Sequence, residues 1–286
     1  FRALLLAGHP NGQVPLDAAS TLETINPGGS GIVSTIDARC VIFLGRHSDV
    51  AGAQLSVLRP LHLPIFAVTI DEVSDSSGPA DRPAAGNLAE YVVSSVSRDA
   101  LRGRVFPHLI DCCKGVEIAV GRRLPVLRET VAAKLTRDAA NAALKVALAS
   151  AVVDHIPIIG FVLGAVASAG DMVAITGIQM MLLLHIEATY GKDPNLQRMW
   201  ELLPVVGGGF GWRMLARELS GFIPIAGIGI KGAIAYAGTI VVGESVTFYY
   251  QHGRHMSKTQ ASALYDRTKA DALLFARELL GKLKNR

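Results

Sequence analysis

The sequence predicts an α/β N-terminal half with a partial parallel sheet, followed by an all-α, glycine-rich, hydrophobic helical bundle. Three observations lead to this fold class. Short continuous apolar runs alternate with polar loops over roughly the first hundred residues, strand signals stop near residue 124, and long helical patterns follow from there to the C-terminus. The predicted domains are therefore residues 1–123 and 124–286.

Four runs in the N-terminal half have the apolar continuity of short strands: Arg2–Ala7, Ala38–Leu44, Pro64–Ile70 and Ala89–Val93. The segment Ala51–Arg59 has helical spacing, and buried strands on both sides of a helix are typical of a parallel βαβ unit. Asp75–Gly86 is rich in Ser, Pro, Gly and Asp, which predicts a loop. Arg98–Cys113 is predicted to form a helix.

The composition favours contact with a membrane. Apolar residues make up 50% of the chain and charged residues only 18%, below the roughly 25% of soluble domains. The net charge of +4 suits anionic lipid headgroups. No stripe of basic residues interleaved with aromatic ones is present, so nucleic acid is not expected as a partner. The three cysteines, with Cys112 and Cys113 adjacent, predict a reducing compartment and neither a metal nor a cofactor.

Two apolar stretches dominate the C-terminal half, after a helix predicted over Arg128–Val153. Ile156–Ile186 contains one acid, Asp171, and Leu219–Gly243 contains one charge, Lys231. Their openings, IPIIG and IPIAG, indicate a duplicated helix–turn–helix element. The structural candidates are the prolines and glycines expected at the helix starts and the two lone charges: Pro157, Gly160, Asp171, Pro224, Gly227 and Lys231.

The lone charges allow three arrangements. They lie at hairpin tips, where Asp171 would also N-cap a helix that starts at Met172, or they lie in the bundle interior, or Asp171 and Lys231 pair with each other. The uncharged runs reach at most 15 residues, whereas a spanning helix needs about 20. These lengths fit half-spanning hairpins, buried core helices or conditional insertion. Lys258–Lys284 is an amphipathic helix, docked either on its own protein or on a membrane surface.

Residues 150–256 resemble the YcjF-like domain of unknown function that often follows Ras-like GTPase domains in bacteria. The resemblance is carried by IPIIG with the following Asp171, by HIEATYGKD (185–193), by LARELSGFIPIAG (215–227) and by GAIAYAGTIVVGESVTFYY (232–250). It covers over a third of the chain. It implies a helical, GTPase-associated domain, which agrees with the apolar helical pattern.

The N-terminal half resembles a degenerate Ras-like, P-loop GTPase domain. The run RALLLAG precedes HPNGQVPLD, in which Gly8 and Gly12 stand at the wrong spacing for a phosphate loop and neither Lys nor Ser/Thr follows. TINPGG (24–29) resembles the turn that senses the γ-phosphate, with Ile25 in place of its acid. In VTIDEV (68–73), only Asp71 matches the guanine-reading motif, and SSVS (94–97) takes the position of the last loop. Gly8, Gly12 and Asp71 are therefore degenerate nucleotide positions.

Other residue patterns support no catalytic site. His252 and His255 are spaced as a weak metal pair, but a position facing solvent or lipid headgroups is favoured because no carboxylate or cysteine is close in sequence. Tyr249 and Tyr250, with the two tryptophans Trp200 and Trp212, are either a membrane-interface belt or core residues.

The resulting hypothesis is a non-catalytic, membrane-associated scaffold or assembly protein with a pseudo-GTPase domain, located at the cytoplasmic face of a membrane. Its expected partners are membrane lipid and either another protein or a second copy of the chain. Two alternatives stay open: a soluble helical oligomerisation protein, and a GTPase involved in membrane remodelling.

The first prediction concerns GTP. Without the phosphate-loop lysine nothing offsets the β/γ-phosphate charge, and without the hydroxyl and the acid there is no Mg²⁺ site. Titration calorimetry with Mg²⁺-GTP is therefore expected to show no binding at micromolar nucleotide, and Mg²⁺-ATP serves as the control for nonspecific polyphosphate contact. Micromolar or tighter binding specific to GTP would contradict this expectation.

Overall fold

The computed structural model describes residues 1–24, 38–46, 58, 62–70, 82–85, 88–153, 160–195 and 228–284. The chain forms two compact units, Phe1–Val131 and Ala132–Arg286. In the described residues, the first unit combines a small sheet with short helices, and the second is helical. The predicted succession of an α/β half and a helical half is confirmed at this level. The division between the units falls inside a long helix, C-terminal to the boundary predicted after residue 123.

In the part of the first unit that the structure describes, the sheet has four strands in the order β1-β2-β4-β3: β1 Val41–Arg46, β2 Ile65–Ile70, β3 Arg82–Ala85 and β4 Leu88–Val93. β1, β2 and β4 are parallel, and their apolar runs are those predicted. β3 pairs antiparallel with β4. It lies inside the segment predicted as a loop, and that part of the prediction was wrong. Four residues with a proline are enough for a short edge strand.

The run Arg2–Ala7 was predicted as a strand, and this prediction was wrong. Arg2–Leu5 forms a one-turn helix, α1, that buries Leu5. The Arg2 guanidinium donates a hydrogen bond to the Ala19 carbonyl, at 3.2 Å from Nη2 to O, at the end of α2 (Leu16–Ala19). A short apolar run has no periodicity that separates a buried strand from one helical turn, so tertiary contacts decide.

The predicted helix over Arg98–Cys113 is two helices, α3 (Arg98–Arg102) and α4 (Val105–Cys112). Gly103 weakens the helix at the break, and Arg104 leaves the helical conformation with φ −123° and ψ −55°. Arg104 then donates from Nη1 to the Val92 carbonyl at 2.8 Å. Glu129 accepts from both Arg98 and Arg102. After α5 (Glu117–Arg123), the chain enters the long helices.

In its described residues, the second unit contains four long helices: α6 (Arg128–Val153), α7 (Gly160–Thr189), α8 (Ile228–His252) and α9 (Lys258–Lys284). The bounds of α6 and α9 are those predicted. Contacts between α7 and α8 keep one register, because Ile175 packs with Ala235, Gln179 bonds Thr239, and Tyr190 stacks on Tyr250. The two helices are therefore parallel, and α6 and α9 run in the opposite direction beside them.

Helix α8 is the core of the second unit. Between Gly232 and Thr247, every residue is buried except the half-buried Tyr236 and Glu244. A helix with apolar residues all around it is stable only when other elements cover every side. Here α7 packs through Ile186 on Val246, and α9 packs through Tyr265 on Val241.

Glycine sets the distance between α8 and α6. A Cβ atom added at Gly243 would lie 2.9 Å from Thr136 Cβ and would also overlap Thr136 Oγ1. A Cβ atom at Gly232 would meet Leu144 Cδ1 at 2.7 Å and Leu148 Cδ2 at 3.0 Å. Small residues of this kind let two helix backbones approach closely. The β-branched Thr136 is fully buried and stiff at χ1, so it has little freedom to move aside.

The second prediction tests this contact. Gly243→Ala is expected to lower the free energy of unfolding by about 1–3 kcal/mol, because overpacking exceeds the gain of roughly 1 kcal/mol in helix propensity. The matched control is Gly177→Ala in α7, where an added Cβ meets nothing within 4 Å. It should stabilise the protein by roughly 0.5–1 kcal/mol. Urea denaturation of both variants measures the difference, and an unchanged or raised stability for Gly243→Ala contradicts the close contact.

Candidate functional site

The structure describes five of the nine residues that the sequence singled out. Gly8 and Gly12 lie in turns of the first unit, Gly160 is the first residue of α7, Asp171 lies within α7, and Lys231 lies near the start of α8. The other four lie outside the described residues: Asp71, Pro157, Pro224 and Gly227. Trp200 and Trp212, proposed for an interface belt, also lie outside them.

The two degenerate nucleotide glycines do not have the geometry of a phosphate loop. Gly8 follows the one-turn helix α1, with φ +92°, and a Cβ added there would meet Pro125 Cβ at 3.2 Å. Gly12 ends a short 3₁₀ turn, Pro10–Gly12, with φ +69°. A phosphate loop connects a strand to the N-terminus of a helix, and in this region neither glycine follows a strand.

Neither Asp171 nor Lys231 lies at a hairpin tip, so the predicted tips and the N-cap role of Asp171 were wrong. Helix α7 continues through Asp171 for 30 residues, and α8 continues through Lys231 to His252. One glycine costs a helix about 1 kcal/mol, and one aspartate costs less. Because no proline lies within Gly160–Thr189 or Ile228–His252, these residues do not interrupt helices that pack along their length.

A buried polar contact joins the two parallel helices. Gln179 donates from Nε2 to Thr239 Oγ1 at 3.2 Å, and Thr239 donates in turn to the Ala235 carbonyl at 2.9 Å. Gln179 is 2% exposed and Thr239 is fully buried. A shift of one helix past the other would leave the Gln179 side-chain amide buried without this partner, at a cost of about 1–3 kcal/mol, whereas Thr239 would keep its bond within α8. The contact therefore favours a single register of α7 on α8.

Helix α7 turns an apolar surface to the outside. This outward face of α7 consists of Val173, Gly177, Met181 and Leu184, which repeat at helical spacing. Val173 is 73% exposed and Met181 is 52% exposed. The sequence contains no charged residue between Val173 and Leu184, over about three helical turns. Contact between this apolar face and water is unfavourable, and exposed apolar faces of this kind are typical of interaction surfaces.

A second surface lies where α7 and α8 end. Tyr250 stacks on Tyr190 with ring centroids 5.1 Å apart, and Tyr249 lies 5.6 Å from the His255 ring. Phe248 stacks on His252 at 4.2 Å, and the Arg254 guanidinium lies over the Phe248 ring at 4.9 Å. We call this surface the aromatic–basic end: Tyr190, Lys192, Tyr249, Tyr250, His252, Arg254, His255 and Lys258.

Helix caps place the basic residues at this end. Gly191 and Gly253 follow α7 and α8 with φ +81° and +65°, a left-handed conformation that closes helices and favours glycine. Ser257 and Gln260 bond each other reciprocally, Gln260 N to Ser257 Oγ at 3.2 Å and Ser257 N to Gln260 Oε1 at 3.1 Å, and begin α9. Both turns expose their side chains, so Lys192, Arg254 and Lys258 reach solvent.

These cations have no acidic partner in the described chain. Among the described residues, the ion pairs involve other side chains, and Lys192, Arg254 and Lys258 take part in none. His252 Nδ1 donates a hydrogen bond to the Phe248 carbonyl at 3.0 Å. No group of three His, Cys, Asp or Glu side chains in the described residues is arranged to hold a metal ion.

The three cysteines form a cluster in the first unit. Burial raises the pKa of the Cys40 thiol to about 12, with further contributions from Cys113 and Cys112. Burial, followed by repulsion from Cys112 and Glu117, raises the pKa of Cys113 to about 11. The pKa of Cys112 is raised by burial and by Asp111. All three are free thiols, and their protonated state at neutral pH makes them weak nucleophiles.

No known protein family, curated protein or solved structure matches this chain. The comparisons therefore supply no enzyme class. In the part of the chain that the structure describes, no helix combines the length and the apolar character needed to cross a bilayer.

The third prediction concerns the thiols. At pH 8 in the native protein, Cys40 and Cys113 are expected to react with iodoacetamide roughly a hundredfold or more slowly than a free cysteine, because only the thiolate attacks. Cys112, which is less buried than Cys113 and whose pKa is raised less than that of Cys40, should react first. Peptide mass spectrometry of timed samples measures each rate, and labelling in urea provides the control in which the three sites become equivalent. Equal native rates at Cys40 and Cys112 would contradict the assigned pKa order.

Proposed function

We propose that this protein is a non-catalytic, membrane-associated scaffold at a cytoplasmic membrane face, with a pseudo-GTPase domain and a helical membrane-facing domain. The observation that carries the proposal is the outward face of α7, which is apolar and uncharged over about three turns, with Val173 and Met181 exposed and Gly177 and Leu184 half-buried. Transfer of a valine or methionine side chain from water to an apolar environment contributes roughly 1.5–3 kcal/mol when burial is complete. The face thus favours an apolar partner.

Lipid is the favoured partner for three reasons. The mean hydropathy of the chain is +0.35, and charged residues are few. The net charge of +4 attracts the chain to an anionic leaflet, where an apolar helix face can enter the acyl boundary. The three free thiols suit a reducing compartment, which supports the cytoplasmic side.

The pseudo-GTPase part of the proposal is supported by the sheet. β2 and β4 are adjacent and parallel, so the chain leaves both strands, after Ile70 and after Val93, at the same edge of the sheet. In the resemblance, VTIDEV (68–73) corresponds to the guanine-reading motif and SSVS (94–97) to the last loop. The absence of the phosphate-loop lysine from the sequence and the one-turn helix α1 oppose phosphate binding. Such a domain would serve as a binding module rather than as an enzyme.

The fourth prediction tests membrane association with the full chain. The wild-type protein is expected to float with phospholipid vesicles in a density gradient, and Met181→Glu should reduce the bound fraction about tenfold or more, because a charge enters the apolar face. Leu274→Glu is the matched control, since Leu274 is 66% exposed on α9 and the charge change is the same. A wild-type chain that floats with no vesicle would refute the proposal.

A soluble oligomerisation protein is the second candidate, and one observation favours it. Gly177 lies in the middle of the outward face of α7, and open space adjoins it, so a second helix can approach closely. Light scattering after size exclusion distinguishes the candidates. An oligomer that Met181→Glu dissociates, together with no vesicle binding, supports self-association in place of lipid contact.

A further inference from the structure

We infer that the aromatic–basic end of the helical unit binds the headgroups of anionic phospholipids. The inference rests on the proposed membrane association and adds the surface that faces the headgroups and the class of lipid that it selects. It uses residues separate from the outward face of α7, so the two surfaces can be tested independently.

The first support is uncompensated positive charge. The two segments that meet at this end, residues 190–195 and 249–260, contain three basic residues and one acid, Asp193. Lys192, Arg254 and Lys258 are exposed and take part in no ion pair among the described residues. Each basic residue close to an anionic leaflet contributes about 1 kcal/mol to the free energy of membrane binding. The end therefore complements a negatively charged surface.

The second support is the aromatic framework that holds the charges. The Arg254 guanidinium carbon lies over the Phe248 ring, 4.9 Å from the ring centroid. The edge of the guanidinium is therefore available to donate hydrogen bonds. Arginine in such a position binds phosphate oxygens through two parallel N–H donors. Tyr249 and Tyr250 are half-buried, with one ring against His255 and the other on Tyr190. Tyrosines with this partial exposure are enriched at the level of lipid headgroups.

The shape of the surface favours a bilayer over nucleic acid. The charges gather at one end of the unit, around two helix-ending turns, and do not follow a groove or a helix face along the chain. Nucleic-acid sites instead repeat basic residues along the phosphate backbone. A membrane presents many headgroups to one compact patch.

The experiment uses the full chain and two vesicle types, phosphatidylcholine alone and phosphatidylcholine with phosphatidylglycerol. Flotation gives the partition of the wild type and of two double variants. The test variant is Arg254→Glu/Lys258→Glu. The control is Lys145→Glu/Arg267→Glu, with the same charge change at exposed positions. Lys145 lies between Ala143 and Ala147, which pack with Ile175. Ile175 is about 22 Å along α7 from Tyr190, so Lys145 is far from the aromatic–basic end. Arg267 follows Tyr265, which packs on Val241.

The wild type is expected to prefer the anionic vesicles, with binding that weakens as salt rises. The test variant should lose about thirtyfold or more in partition to them, because two attractive contacts disappear. The control variant should bind within a few-fold of the wild type. Thermal unfolding of each variant shows that the charge changes leave the fold intact.

Three results would overturn the inference. One is an equal loss in the test and control variants, which indicates a response to net charge alone. Another is that the wild type binds neutral and anionic vesicles equally and that only Met181→Glu weakens this binding. That result would still support the proposed membrane association. The last is binding of a DNA duplex as tight as vesicle binding and equally sensitive to the test variant. A wild type that binds no vesicle refutes the proposed function itself.

Discussion

The close packing of α6 against α8 is the contact on which the helical unit depends. Gly243 and Gly232 leave room for Thr136, Leu144 and Leu148, so α6 reaches the backbone of α8. With α6 at this distance, α7 fits into the groove between the two, where Ala132, Leu182 and Val242 share one apolar cluster. Larger residues at the two glycines would separate α6 from α8 and open this cluster to water.

The register that follows from this packing also shapes the surface. Because Gln179 opposes Thr239 and the helices are parallel, Tyr190 and Tyr250 arrive at the same level near the helix ends. The turns that follow are closed by glycine in both helices, which brings Lys192 and Arg254 to one end of the unit. The aromatic–basic end is thus a consequence of core packing, assembled from residues sixty positions apart in the chain.

The sequence was most informative where helices are amphipathic. The bounds of α6 and α9 followed from charged and apolar residues at helical spacing. The apolar run through Asp171 carries no such periodicity, so one acid was taken for a turn, and packing along the helix decided otherwise. The strand predicted over Arg2–Ala7 was wrong for a related reason, because four or five apolar residues fit either a strand or one turn of helix.

The candidate site shows the same limit. Tyr249, Tyr250, His252 and His255 were visible as a local group in the sequence, with headgroup contact as one interpretation. Nothing in the sequence placed Tyr190 and Lys192 beside them, because that requires the parallel register of α7 and α8. The outward face of α7 was missed as well, since a continuous apolar run does not reveal which of its sides is exposed.

The enclosure of α8 between Gly232 and Thr247 has a consequence for the dynamics of the protein. The amide hydrogens of this stretch lie beneath α6, α7 and α9. If one of these helices frays, the other two still cover part of the stretch. Hydrogen exchange there proceeds only through opening of the whole unit, whereas the turns at Gly191 and Gly253 exchange from the native state. The hydrogen-exchange rate of the buried α8 amides therefore reports the global stability of the helical unit.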